Sequence, residues 1–168
     1  MSGLASPAVK SAAAEKKGRP GPPLRVGITP EYPPLVFLES DVATGLEIDF
    51  AKALGLGLNR PVEFVILKWN EQIPALLERR TDIIMSGMSI TQARRVRIAF
   101  TEPYVHNQLR AIFRREDTTS YATPQQLLTS SAKIGFIAGT TSDTFVTQNC
   151  PNAQRVPISL RRDVRFWA

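Results

Sequence analysis

Residues 81–104, TDIIMSGMSITQARRVRIAFTEPY, contain the pattern on which the fold prediction depends. The run at 82–85 is apolar after its first residue and predicts a short buried strand. The residues that follow are small or polar, and Thr91 can cap a short helix that carries Arg94. Arginine holds a carboxylate through two parallel N–H donors. This strand end therefore predicts a site for a small anion or an amino acid.

Strand patterns alternate with helical patterns on the N-terminal side of this stretch. Strands are predicted over 24–28, 36–38 and 61–67, with a turn at 41–45. Asn70 can cap a helix that precedes the strand at 82–85. An earlier helix is predicted to bury the apolar face formed by Leu46, Phe50, Ala53 and Leu54.

The alternation restarts on the C-terminal side. Strands are predicted over 108–113 and 133–138, and Thr123 followed by Pro124 predicts a helix start. The small residues at 139–142 lead into a helix near Asp143. Such alternation indicates an α/β fold with a mainly parallel sheet, and the restart indicates two lobes.

The predicted organisation has five segments. Residues 1–23 contain few apolar residues and many small residues and prolines. This composition indicates a flexible leader at the N-terminus. The segments are a leader over 1–23, a first lobe over 24–113, a linker over 114–122, the start of a second lobe over 123–156 and an atypical tail over 157–168.

The net charge of +6 raises the question of nucleic-acid binding. Residues 1–23 hold four basic residues and one acidic residue, and 155–168 hold four arginines and one aspartate. The intervening residues carry thirteen charges of each sign. Basic ends of this kind are usually solvated, so no nucleic-acid partner is predicted.

Catalytic and metal-binding groups are scarce. Cys150 is the only cysteine and His106 the only histidine, so a histidine triad or a zinc site would lack partners. Asp82 and Glu102 are separated by a strand and a helix, which gives no support to a paired-carboxylate mechanism. We therefore predict no catalytic residue, no metal and no cofactor. No apolar run is long enough to span a membrane, and no signal peptide is visible in 1–23.

Three predicted strand ends could form a binding site, because ligands of α/β sheets bind beyond the carboxyl ends of strands. The first carries Tyr32, the second runs from Ser86 to Arg94, and the third presents Thr140 and Thr141 at a helix start. Structural or solvent-exposed roles are alternatives to ligand binding for several of these residues and their neighbours. Tyr32 alone could pack a loop, Arg95 and Arg97 fit a solvated face, and Trp69 fits a structural role.

Four stretches resemble the type II periplasmic substrate-binding proteins, solute-binding protein family 3, of amino-acid ABC transporters. They are LRVGITPEYPPLVF, GLEIDFAKALG, VEFVILKWNEQIPALLERRTDIIMSGMSITQARRVRIAFTEPY and KIGFIAGTTSDTF. The resemblance covers about residues 24–156. It implies a periplasmic-binding-protein type II fold, with one largely complete α/β lobe and the start of a second.

The resemblance also implies roles for individual residues. Tyr32 would stack on the ligand, and the Gly87 carbonyl and Ser89 hydroxyl would accept from its α-ammonium. Arg94 would clamp the α-carboxylate with help from Thr141. The further lining residues of this expected pocket are Ser86, Met88 and Thr140.

The function implied is non-enzymatic capture of a small polar ligand, with an amino acid favoured, in the periplasm or another extracytoplasmic space. An ABC permease in the membrane would be the partner, and lobe closure would be the signal to it. Some members that bind cationic amino acids have an acidic residue where this chain has Thr29, which disfavours such a ligand here. Because the match fades after Val156, we expect a second lobe cut short by a truncation, a frameshift or fragmentation.

Two alternatives remain open. An enzyme that resembles cyclohexadienyl (arogenate/prephenate) dehydratase would use the same fold, as would the ligand-sensing module of a larger membrane protein. Fold alone does not choose among these functions.

Overall fold

The computed structural model of the protein describes residues 19–158. The strands are β1 Leu24–Ile28, β2 Glu31–Tyr32, β3 Val36–Glu39, β4 Val42–Thr44, β5 Val62–Ile66, β6 Ile83–Ile84, β7 Lys133–Ile137 and β8 Gln154–Ile158. The helices are α1 Leu46–Gly57, α2 Gln72–Leu77, α3 Gln92–Arg95, α4 Pro124–Thr129 and α5 Thr141–Asn149.

A parallel sheet forms the centre of the first lobe, in the order β5-β1-β6. Val26 of β1 lies opposite Phe64 on one side and Ile83 on the other. The strands β2, β3 and β4 form a separate antiparallel sheet beside it. The parallel arrangement brings the carboxyl ends of β1, β5 and β6 to the same edge, where the predicted site residues follow.

The core of the first lobe is built around β1, because a central strand is covered on both faces. Its buried apolar residues are Leu24, Val26, Ile28, Val36, Ile48 and Ala51. The inward face predicted for α1 is wrong in part: Leu46 and Phe50 are 37% and 40% exposed. The helix instead buries Glu47, Ile48, Ala51 and Gly55.

A second, smaller core lies in the C-terminal part. It consists of Phe136, Val146 and Cys150, packed between the parallel pair β7-β8 and α5. The strand β8 runs to Ile158 and so enters the segment that we assigned to an atypical tail. The rest of that segment, 159–168, lies outside the described residues.

Three predicted elements differ from the structure. Within the predicted turn at 41–45, residues Val42–Thr44 form the strand β4, which pairs with β3. Residues 108–113 form no strand, and all of them are exposed. A strand needs a neighbouring backbone to pair with, and no backbone hydrogen bond joins this segment to another in the described part of the chain. Asn70 caps no helix: it lies inside a 3₁₀ turn over Trp69–Glu71, and α2 follows directly at Gln72.

Residues 19–23, part of the predicted flexible leader, are hydrogen bonded to the first lobe. Gly21 N–H donates to the Asn59 carbonyl at 2.9 Å, and the Arg60 guanidinium donates to the carbonyls of Pro22 and Pro23. Residues 1–18 lie outside the described part. Within 19–158, no helix has the length and apolar character needed to cross a membrane.

Candidate ligand-binding site

A cavity of about 430 Å³ lies where the two lobes meet. Its walls come from the ends of β1, β6 and β7, from the 3₁₀ turn after β5, and from the chain that leaves the first lobe. Of the predicted site residues, the cavity is lined by Tyr32, Ser86, Gly87, Ser89, Thr140 and Thr141. Its other lining residues are Thr29, Glu31, Trp69, Asn107, Gln108, Leu109, Arg110 and Ile137.

Tyr32 and Gly87 form a close contact at one side of this cavity. Gly87 has a φ of +63°, and a Cβ there would lie 3.1 Å from the Tyr32 ring and 3.2 Å from Leu35. A side chain would therefore be strained by the backbone and would displace the tyrosine. Tyr32 lies in the short strand β2, so the antiparallel sheet, and not a loop, sets its position.

The hydrogen bonds of Ser86 and Thr29 join the ends of three strands. The Thr29 N–H donates to the buried Ser86 hydroxyl at 2.8 Å, and the Thr29 hydroxyl donates to the Leu67 carbonyl at 2.9 Å. Gln72 from α2 donates to the same threonine hydroxyl. These bonds tie β1, β5 and β6 together at the edge of the sheet that faces the cavity.

Arg94 is not among the lining residues of the cavity, but it contacts Ser89 and Trp69, which are. Its guanidinium donates to the Ser89 carbonyl at 2.8 Å and to the Gly139 carbonyl at 3.1 Å, and it stacks 5.3 Å from the centre of the Trp69 ring. Burial lowers the pKa of the Arg94 guanidinium. Arginine remains charged at neutral pH even after such a shift.

Trp69, for which a structural role is expected, also lies at the cavity. Its ring lines the cavity, and its indole N–H donates to the Gly139 carbonyl at 3.0 Å. The Gly139 carbonyl thus accepts from Trp69 and Arg94, two residues of the first lobe. A tryptophan after a strand and a turn is a weak signal in sequence, because the same pattern also occurs in ordinary cores.

The start of α5 forms the opposite wall. The Thr140 hydroxyl lies 2.7 Å from the Ser142 hydroxyl and donates to the Ile137 carbonyl at 2.7 Å. The Asp143 carboxylate accepts from the Gly139 N–H at 2.9 Å, and this bond lowers the pKa of Asp143. Thr141 is the first residue of the helix. The amides of such a helix start favour a carboxylate or another anion.

Met88 is separated from the other predicted site residues. It lines a second cavity, of about 260 Å³, which it shares with Gly87, Ser89 and residues 100–107. Its neighbours on both sides line both cavities, so residues 86–89 form a thin partition between them.

Sequence reasoning missed one buried carboxylate. Glu47 in the first turn of α1 is 0% exposed, and its Oε1 accepts from the Gly87 N–H at 2.6 Å and from the Tyr104 hydroxyl. Burial and this bond raise the pKa of the Tyr104 hydroxyl. The sequence signal was an acidic residue at a helix start, which is commonly exposed and favourable there for electrostatic reasons alone.

The fold and this cavity define an α/β protein with a polar and aromatic site between two lobes. The profile of the bacterial extracellular solute-binding proteins, family 3, matches residues 24–162. The chain belongs to this family, as the resemblance in the sequence predicted.

Individual relatives agree with this assignment. The ABC transporter arginine-binding protein 1 of Escherichia coli (strain K12) is 29% identical over 154 residues, which are 91% of this chain and 58% of the relative. The histidine-binding periplasmic protein of the same strain is 32% identical over 123 residues, 73% of this chain and 46% of the relative. The chain spans about half the length of the curated relatives it matches.

A solved structure confirms the fold. The crystal structure of the ancestral amino acid-binding protein AncCDT-1, described as a precursor of cyclohexadienyl dehydratase, matches with a TM-score of 0.76 and 33% identity. The match covers 81% of this chain and 60% of that one. The predicted partial type II periplasmic-binding-protein fold is therefore correct.

Proposed function

We propose that this chain binds a free amino acid in an extracytoplasmic space and presents it to an ABC permease, with Arg94 holding the ligand carboxylate. The observation that carries the proposal is the placement of Arg94 at the junction of the two lobes, between the Ser89 and Gly139 carbonyls. The names of the arginine-binding and histidine-binding relatives support an amino acid as the ligand class.

The chemistry of Arg94 fits this role. A guanidinium carries five N–H donors. Arg94 uses two of them for carbonyls in the described part of the chain, so further donors remain for a carboxylate. In the proposed bound state, the carboxylate replaces the bond to the Gly139 carbonyl and gains a charge-assisted pair of hydrogen bonds.

The remaining walls suit the rest of an amino acid. The Gly87 carbonyl and Ser89 hydroxyl would accept from the α-ammonium, and Thr140 and Thr141 would approach the carboxylate from the other lobe. Tyr32 and Trp69 provide aromatic surface for the side chain. This chain has Thr29 where some relatives have an acidic residue, but the carboxylate of Glu31 lies at the cavity. Cationic amino acids therefore belong among the ligands to be tested.

Isothermal titration of the purified chain with each of the common amino acids, including L-arginine and L-histidine, tests the proposal. We expect heat from at least one of them. Arg94→Ala should weaken that binding by about tenfold or more, the scale of a lost hydrogen bond to a charged group. Arg95→Ala is the matched control, because Arg95 is its exposed neighbour on α3. Absence of heat throughout, or equal affinity of the two variants, would contradict the proposal.

The enzyme alternative has one observation in its favour, the description of AncCDT-1 as a precursor of cyclohexadienyl dehydratase. The same description calls AncCDT-1 an amino acid-binding protein, and the relatives above are binding proteins by name. Binding without turnover is therefore favoured. We expect no phenylpyruvate from prephenate when absorbance is followed, and measurable turnover would place the chain among the enzymes.

A further inference from the structure

We infer that Glu47 is a positioning residue for the candidate site. Its buried carboxylate holds the Gly87 peptide, which faces the cavity, and connects that peptide to the segment that leaves the first lobe. The effect on ligand binding rests on the proposed function. The structural part of the inference can be tested without a ligand.

The burial of Glu47 is unusual for a charged residue. The residue is 0% exposed, and it forms no ion pair with any residue in 19–158. Glutamate is almost never fully buried unless it has compensating partners, because the loss of hydration is costly. Here the Gly87 N–H and the Tyr104 hydroxyl compensate Oε1, and the first turn of α1 is favourable for the charge, whereas Oε2 has no hydrogen-bond partner among the described residues.

The hydrogen bond from Gly87 to Glu47 restrains the residue of the 86–89 partition that has the greatest backbone freedom. Glycine adopts either sign of φ with similar ease, and Gly87 has a φ of +63°. The carboxylate of Glu47 lies only 2.6 Å from the Gly87 nitrogen. The N–H and C=O of one trans peptide point in opposite directions. Anchoring the Gly87 N–H therefore turns the Ser86 carbonyl away from α1 and limits rotation at the glycine.

The bond to Tyr104 extends this restraint to a second wall. The Tyr104 ring meets Phe50 of α1 edge to face, with ring centres 5.3 Å apart and planes at 86°. Three residues later the same chain segment begins to line the larger cavity, at Asn107 to Arg110. This segment forms no regular strand, and the Tyr104 side chain holds it to the first lobe through Glu47 and Phe50. One carboxylate oxygen thus connects the 86–89 partition with the 107–110 wall.

Three variants separate the parts of this arrangement. Glu47→Ala removes the acceptor, and Glu47→Gln keeps the shape but replaces the charge. Tyr104→Phe removes only the hydroxyl and keeps the ring contact with Phe50. Asp49→Asn is the matched control, because Asp49 is acidic, lies in the same first turn and is exposed.

The first measurement is the Gly87 amide in ligand-free protein, followed by nuclear magnetic resonance and hydrogen exchange. In the parent chain and in Asp49→Asn we expect a protected amide shifted downfield by its charged acceptor. In Glu47→Ala the shift and the protection should be lost, and in Glu47→Gln the shift should move upfield. Tyr104→Phe should keep the Gly87 signal and change the chemical shifts of the amides at residues 107–110.

The second measurement is titration with L-arginine, or with whichever amino acid binds the parent chain. We expect Glu47→Ala to weaken binding by about tenfold and Glu47→Gln to recover part of the loss. Circular dichroism checks that each variant is folded. If Glu47→Ala does not fold, the role of Glu47 is decided by Glu47→Gln and Tyr104→Phe. An unchanged Gly87 amide in Glu47→Gln would overturn the inference. A parent chain that binds no amino acid would instead overturn the proposed function, and the amide result would still decide the role of Glu47.

Discussion

Asp82 illustrates how single residues of the central stretch are held. Its carboxylate accepts from the Arg25 guanidinium at 2.7 Å and from Arg60 at 3.1 Å, and it also accepts from the Arg25 N–H. The bonds from Arg25 lower the pKa of Asp82 from 3.8 to about 2. These contacts fasten the start of β6 to β1 and to the end of the turn before β5.

The pKa of Asp82 predicts an acid-dependent loss of stability. Because the folded pKa lies below the usual value, the stabilisation is present above about pH 4 and is lost as the pH falls towards 2. Asp82→Asn should lower the free energy of unfolding by about 1 kcal/mol at pH 7, the range of partly exposed ion pairs. The difference from the parent chain should be clearly smaller at pH 2, where Asp82 is about half protonated, and should vanish below that pH.

Urea denaturation at pH 7 and pH 2 measures this difference. Glu39→Gln is the control, because it removes an exposed carboxylate from β3. An Asp82→Asn variant as stable as the parent at pH 7 would show that the ion pairs contribute nothing to stability.

At the residue scale, sequence reasoning found groups whose chemistry is visible in their type and order. Tyr32, Gly87, Ser89 and Thr141 follow strand ends, and the structure brings them to one cavity. Sequence reasoning did not place Glu47 or Trp69 beside the cavity. Their roles depend on partners 40 and 70 positions away in the chain, Gly87 and Gly139.

Short-range signals were reliable at the element scale. Thr123 caps α4 through its hydroxyl, as the threonine-proline pair predicted, and Thr91 caps α3. Such caps depend on residues within three positions, so local sequence contains the whole signal. The strand predicted at 108–113 was wrong because strand formation depends on a distant partner.

The cap of α3 should affect the placement of Arg94. The Thr91 hydroxyl accepts from the Arg94 N–H at 3.3 Å in a helix of four residues. Thr91→Ala should destabilise the protein by about 1 kcal/mol, and Thr91→Ser should retain most of the stability. Urea denaturation gives the free energies, and hydrogen exchange at the Arg94 amide reports the local effect. Equal exchange rates in the two variants would show that the cap does not hold this helix.

At the scale of the whole molecule, two separate apolar cores are present within residues 19–158, and polar contacts connect the parts that contain them. The first core surrounds β1 and the second lies between β7-β8 and α5. The Trp69 and Arg94 bonds to the Gly139 carbonyl cross from one lobe to the other. Lobes with their own cores and a small polar junction are able to move relative to each other.

This junction leads to a prediction about lobe orientation. Trp69→Phe keeps an aromatic ring near Arg94 but removes the N–H that donates to Gly139. We expect the lobes of ligand-free Trp69→Phe to be less well oriented than those of the parent chain. Residual dipolar couplings of amides in β1 and β7 should fit a single alignment in the parent and require two in the variant. Asn70→Ala, in the same turn, is the control.

A single alignment in all three proteins would show that other contacts hold the lobes. The Arg94 bond and the connecting chain would then be sufficient, and the indole N–H would serve only to satisfy the Gly139 carbonyl.

The sequence by itself determined the α/β class, the family and the caps of α3 and α4, and it predicted six of the residues that line the cavity. These depend on local periodicity, on caps within one helical turn and on ordered motifs. Only the tertiary structure decided the burial of Glu47, the cavity-lining position of Trp69 and the contacts of Arg94 with Ser89 and Gly139. Each of these depends on which distant backbone atoms are brought within hydrogen-bonding distance, and a buried polar group is stable only where such partners meet it.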